Sequence, residues 1–234
     1  MDRPDKVDPA LIEYLAQYVT DHKKQKIEEV LAQRSRYLTV VLEDIYKPHN
    51  ASAVLRTCDC FGVQDIHIIE GKEGYKVNPY VTRGAAQWLT LHQYPMSDQS
   101  NVTTCFDKLR ASGYKILATS PVADSQPLAD IIPDQKIALV FGNEHAGVSE
   151  EVIAQADGLV YVPMRGFTES FNISVTAAIC LSELQRKLDL MPEIDTFLTE
   201  EEKQALRQEW YFEIVKHAPT HLKAFYKNQL KSKD

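Results

Sequence analysis

The spacing of apolar positions changes near residue 37. Before it, Leu11 to Val19 and Ile27 to Leu31 place apolar side chains three or four residues apart, which predicts two short amphipathic helices. From Tyr37 onward, short runs rich in branched aliphatic residues take over: YLTVVLEDI (37–45), DIHIIE (65–70), WLTLHQY (88–94), YKILATS (114–120), KIALVFG (136–142) and GLVYVPM (158–164). Between them lie helical patterns at about 50–61, 101–112, 149–156 and 171–189. This alternation predicts an α/β fold, a mainly parallel sheet with helices on both faces. After Met191-Pro192 an acidic connection leads to Thr199, placed to cap a helix with Glu202 three residues on, and two further helices are expected over about 200–215 and 219–231. The domain reading is a helical extension over 1–36, a sheet domain over 37–190 and a second helical extension over 191–234.

Composition narrows the class. A chain of 234 residues with 44% hydrophobic content can bury a sizeable core. No run of eighteen apolar residues occurs, and the opening MDRPDKVDPALIEYL has acidic residues where a signal peptide would be basic and then apolar. A soluble, cytoplasmic protein without membrane contact is expected. Cys58, Cys60, Cys105 and Cys180 show no metal-site spacing, so buried reduced thiols and no metal are expected. A net charge of −7 argues against broad binding to nucleic acid, yet two tracts are locally basic. Residues 22–36 carry five Lys or Arg against two Glu, and residues 216–234 carry five Lys and two His against one Asp, with Phe225 and Tyr226 interleaved. On charge pattern alone, solvated helix faces and RNA contacts both remain open.

Ligands of open parallel sheets bind at strand-end loops, which directs attention to KPHN (47–50), FGNEHAGVS (141–149) and PMRGFTESFNISV (163–175). Pro48 stops strand pairing, and Asn50 reads as a helix N-cap. Glu144 sits beside Gly142, where backbone can approach a ligand, or else serves the turn. Ser170 and Asn172 read as caps or as site residues, and Thr119 as a turn hydroxyl. Arg56 shares a polar stripe with Ser52 and Asp59, so an Arg56–Asp59 pair on the surface would explain it. Neither G-x-G-x-x-G after the first strand nor G-x-x-x-x-G-K-[ST] is present, which leaves an ordinary dinucleotide enzyme or P-loop ATPase poorly supported.

KPHNASAVLRTCDCFGV, LVFGNEHAGVSEE and VPMRGFTESFNISVTAAICLSE, in that order, resemble the three motifs of the SpoU-TrmH branch of the SPOUT RNA 2'-O-ribose methyltransferases. The resemblance runs from about residue 38 to 188. It implies a sheet domain whose C-terminal part is threaded into a trefoil knot, S-adenosylmethionine as cofactor, a homodimer and no metal. By position, Arg56 matches the family's catalytic arginine, Asn50 the asparagine that supports it, Glu144 the acid of the second motif, and Ser170 and Asn172 the polar pair of the third. Cofactor contacts would come from Thr119, Gly142, Val162, Met164 and Phe171. Phe171 replaces the usual leucine, and Arg165, Phe167 and Glu169 make the third loop bulkier and more polar than is common.

The flanking segments resemble those of family members that methylate a D-loop guanosine of tRNA. That places tRNA ahead of rRNA as substrate, with a non-catalytic RNA-binding protein of this fold as the competing class. Methyl transfer from a sulfonium requires a ribose 2'-hydroxyl to be oriented and deprotonated. A guanidinium, with a pKa above about 12, is rarely a base. Holding one neutral near pH 7 costs on the order of 7 kcal/mol, which favours a charged arginine steadying the developing alkoxide.

Overall fold

The segment LTVVLE is buried at all six positions, Glu43 included, as expected of a central strand covered on both faces. The structure is a computed structural model and describes residues 6–45, 47–71, 84–122 and 124–231. Its strands are β1 (Leu38–Glu43), β2 (Asp65–Ile69), β3 (Thr90–Tyr94), β4 (Lys115–Thr119), β5 (Gln126–Pro127), β6 (Ile137–Phe141) and β7 (Gly158–Tyr161). Its helices are α1 (Pro9–Ala16), α2 (Asp21–Leu31), α3 (Pro48–Cys60), α4 (Asn101–Ala111), α5 (Glu150–Gln155), α6 (Ile173–Leu188), α7 (Glu200–Ile214) and α8 (Ala218–Lys231). They divide into two compact units, Ser35–Thr196, and Met1–Arg34 with Phe197–Asp234.

In the sheet unit the strand order is β3-β2-β1-β6-β4-β7-β5, and every pairing is parallel. Side chains alternate between two cores. Val40, Leu42, Leu139 and Phe141 face α3 and α6 through Val54, Leu55, Ala177 and Leu181. Val41, Ala138 and Val140 belong to the core formed with α4 and α5, through Phe106, Leu109 and Val152. Helices therefore cover both faces. Two expectations shift: Trp88 precedes β3 in a short 3-10 turn, and the two-residue β5 is too short to leave a periodic signal.

A buried polar group joins β2 to β3. Asp65 accepts from Arg36 at 2.5 Å and meets His92 at 2.9 Å, His67 meets the Tyr94 hydroxyl at 2.9 Å, and the two imidazoles stack with centroids 4.6 Å apart. Burial would raise the Asp65 pKa, but His92 and Arg36 outweigh it and lower it. Burial first, and then His92, push His67 down to about 3. Cys105 and Cys180 are buried, which drives both thiols up to about 12. Cys58 is buried as well, whereas Cys60 is exposed, against the expectation for all four.

The helical unit is organised by its caps. Asp8, Thr20 and Thr199 each accept a backbone N–H of the helix that follows, and Thr199 with Glu202 completes the expected reciprocal box. Because Thr20 caps it, α2 begins at Asp21, ahead of the apolar pattern at Ile27. Leu11, Leu15, Ile27, Leu31, Leu206, Trp210 and Leu222 are buried. The guanidinium of Arg34, 1% exposed, lies 5.5 Å from the Trp210 ring centroid. Arg34 and Arg36 are thus withdrawn from the basic surface expected over 22–36. Among the described residues no helix is long and apolar enough to cross a membrane.

Candidate functional site

The carboxyl ends of β1 and β6 lie side by side where the strand order reverses, the usual ligand crevice of an open parallel sheet. Pro48 opens α3 at its first position, with Lys47 as the cap residue and no side-chain cap bond. Asn50 is therefore inside the first helical turn and not the N-cap expected of it. Its side chain is committed elsewhere. Asn50 Nδ2 donates to Glu144 Oε1 at 2.6 Å, and Asn172 Nδ2 donates to Asn50 Oδ1 at 3.3 Å. Glu144 Oε2 is shielded from solvent and finds no partner among the described residues.

The loop after β6 is bent back tightly. Gly147 donates its N–H to the Asn143 carbonyl at 2.8 Å and holds φ at 71°, a conformation that favours glycine. A β-carbon on Gly142 would fall 2.2 Å from the Gly147 carbonyl, so only glycine fits there. Asn143 ties this loop to the first one through the Asp44 carbonyl at 2.9 Å. Glu43 Oε2 accepts the N–H of Ser149, the cap residue of α5, at 2.9 Å. Burial raises the Glu43 pKa, and the bonds from Ser149 oppose the rise.

Asn172 caps α6 by accepting from the Ser174 N–H at 2.9 Å, the capping reading, and its amide nitrogen also reaches Asn50. Ser170 makes no cap bond to α6. The Thr119 hydroxyl donates to the Val140 carbonyl at 3.0 Å, bracing β4 against β6 and not serving a turn.

These loops enclose a cavity of about 630 Å³, within the roughly 300–1,000 Å³ usual for small-molecule sites. Asn50, Glu144, Ser170, Asn172, Thr119, Gly142, Val162, Met164 and Phe171 all line it. Lys47, Pro121, Tyr161 and Ile173 join them, each next to or inside a motif or strand end already singled out by sequence. Phe171 is 44% exposed, and Phe167 stands fully in solvent. Arg56 does not line the cavity. It is exposed on α3, and no ion pair to it is found among the described residues, so the expected Arg56–Asp59 bridge is not formed.

The description "SpoU rRNA Methylase family" matches residues 37–182, most of the sheet unit. The chain belongs to this SpoU family. Among relatives, it is 43% identical over 203 residues to a tRNA (guanosine(18)-2'-O)-methyltransferase of Borreliella burgdorferi, an alignment covering 87% of this chain and 90% of that protein. A Thermus thermophilus protein of the same description is 38% identical over 168 residues, 72% and 84% of the two chains. The crystal structure of an A. aeolicus TrmH/SpoU tRNA modifying enzyme superposes with a TM-score of 0.72 at 28% identity, covering 88% of this chain and all of that one. The SpoU match brackets all ten residues singled out by sequence, from Asn50 to Asn172.

Proposed function

We propose that this protein is an S-adenosylmethionine-dependent tRNA guanosine 2'-O-methyltransferase acting on a D-loop guanosine. The observation that carries the reading is the hydrogen-bonded chain Asn172–Asn50–Glu144, which joins three motifs 94 and 122 residues apart at the wall of one small-ligand cavity. The relatives described above, aligned over most of the chain, support the substrate. A cytoplasmic location follows from that substrate.

The cavity fits the cofactor. Val162, Met164 and Phe171 offer apolar surface, and the loop at Gly142 brings main chain to the wall with no β-carbon in the way. S-adenosylmethionine, when bound, supplies an electrophilic methyl group on a sulfonium sulfur. Threading of the lining loops as a trefoil knot belongs to the same reading, on the family resemblance.

Asn50 is oriented from both sides, which fixes the Glu144 carboxylate and leaves its second oxygen as an acceptor for a ribose or cofactor hydroxyl. As the 2'-hydroxyl gives up its proton to water or a substrate phosphate, negative charge grows on its oxygen, which would then bond the methyl carbon while the S–CH3 electron pair returned to sulfur. Arg56, as a charged donor, steadies that oxygen. Since Arg56 is exposed and outside its own cavity, the reading includes a homodimer in which each Arg56 serves the partner's cavity.

The test is transfer of tritiated methyl from S-adenosylmethionine to an unmodified tRNA transcript and to a large-subunit rRNA fragment, with the modified ribose mapped. Label at a D-loop guanosine is expected. Transfer to the rRNA fragment alone would replace the substrate, and RNA binding with no transfer to either would replace the enzyme by a binding protein.

A further inference from the structure

The helical unit holds an aromatic group that core packing does not account for. Leu11, Leu15, Leu222 and Phe225 are already buried among its helices. Tyr18, just beyond α1, is nevertheless held in a fixed place while 49% exposed. Its ring centroid lies 4.0 Å from that of His221 on α8 and 5.6 Å from that of Tyr14. Its hydroxyl donates to the Tyr14 hydroxyl at 3.2 Å, and Tyr14 rests on Phe225 at 5.3 Å. A half-exposed ring braced at its edge and at one neighbour has already lost the side-chain freedom that a ligand would otherwise have to remove.

The charge of α8 indicates what such a ring would meet. Lys216, Lys223 and Lys227, beside and along α8, are exposed and have no ion pair among the described residues. Five acidic side chains of the C-terminal segment lie on α7, at Glu200, Glu201, Glu202, Glu209 and Glu213, whereas Ala218–Lys231 of α8 carries none. Exposed aromatics against a helix that carries lysines and no acidic side chain suit unpaired nucleotides, whose bases stack on the rings while phosphates along the strand meet the helix's cations.

We infer that Tyr18 and His221 form a stacking site for an unpaired nucleobase of the RNA substrate. This inference rests on the tRNA reading and deepens it: the base stacked there is a recognition contact, distinct from the methylated nucleotide. Stacking is indifferent to base identity, so the site senses that a base is unpaired and not which base it is.

The test uses the full-length protein and fluorescence anisotropy with labelled, unmodified tRNA and a fully paired RNA hairpin. Tyr18→Leu keeps apolar bulk but cannot stack, whereas Tyr18→Phe keeps the ring. Tyr18→Leu is expected to weaken tRNA binding about 5- to 150-fold, with Tyr18→Phe near wild type. The hairpin's affinity, the S-adenosylmethionine affinity and the thermal midpoint should hardly move in either variant. His221→Ala should weaken tRNA binding in the same direction. Wild-type tRNA affinity in Tyr18→Leu would overturn the inference, as would an equal loss on the paired hairpin. Binding of tRNA without methyl transfer by the wild-type protein would instead remove the functional reading, and the Leu-against-Phe comparison would still decide the stacking site.

Discussion

The helical unit carries thirteen acidic and thirteen basic side chains, whereas the sheet unit carries twenty acidic and thirteen basic ones, the whole of the net charge of −7. The sheet unit nevertheless contains the cavity and the three motifs proposed to act on a polyanion. Cohesion differs as well. The helical unit is fastened by caps read within three residues and by pairs such as Arg207–Glu28, two bonds of 2.6 Å each. The sheet unit is fastened by parallel pairing and by side chains that meet across some hundred residues. A site assembled from distant segments gains position from the sheet, while the net negative charge of that unit gives it no long-range attraction for a polyanion.

This contrast can be broken most severely at Arg56. Arg56→Ala is expected to lower methyl transfer about 100- to 1,000-fold, the loss typical of one donor to a developing oxyanion. Calorimetry should find its S-adenosylmethionine affinity unchanged, because the arginine does not line its own cavity. An equal fall in cofactor affinity would show that Arg56 binds the cofactor as well as, or instead of, the ribose oxygen. Arg56→Lys retaining most turnover would favour the charged role over the base.

Next in size is Gly142→Ala. Its methyl group would lie 2.2 Å from main chain, so the cost should reach the upper end for overpacking, about 3 kcal/mol in urea unfolding. Cofactor binding should fall with it. A well-folded Gly142→Ala protein with normal affinity would show that the loop bend is not needed by the site.

The third change separates the units by pH. His67 has a folded pKa lowered to about 3, against about 6.5 in an unfolded chain. Above 6.5 the ring is neutral in both states; below it the unfolded chain takes up a proton that the folded one refuses. Stability conferred by neutral His67 is therefore present above 6.5 and lost as pH falls towards 3, by about 2 to 3 kcal/mol between pH 7 and 4.5. His67→Phe should flatten that fall in urea midpoints measured at pH 7 and 4.5, and an unaltered slope would assign acid sensitivity elsewhere. Smallest is Thr199→Ala, which removes the cap of α7 and should cost about 1 kcal/mol in thermal unfolding, with methyl transfer at saturating tRNA unchanged.

Legibility in the sequence follows the range of each interaction. Thr199 and Glu202 are three residues apart, and their box is formed as read. Asn50 also had the chemistry of a cap, but Pro48 starts the helix earlier, and the partner that claims the Asn50 amide lies 94 residues away. Arg34 and Arg36 counted as surface charge because nothing in their spacing reveals Trp210 or Asp65. The exposure of Arg56 could be read from its stripe. The role proposed for it could not, since its local surroundings are those of any surface arginine and the proposal rests on the motifs around Glu144 and Asn172.

One unit is built from both ends of the chain, and this orders events during synthesis. The helices α1 and α2, eight and eleven residues long, are too short to be stable alone in water. Their partners α7 and α8 follow only after the roughly 160 residues of the sheet unit, a wait of roughly ten to thirty seconds at 5–20 residues per second. For that interval Leu11, Leu15, Ile27 and Leu31 have no helical unit to enter, and α1 and α2 stay open to chaperones and proteases. The sheet unit, whose elements are contiguous in the chain, can fold during the same wait.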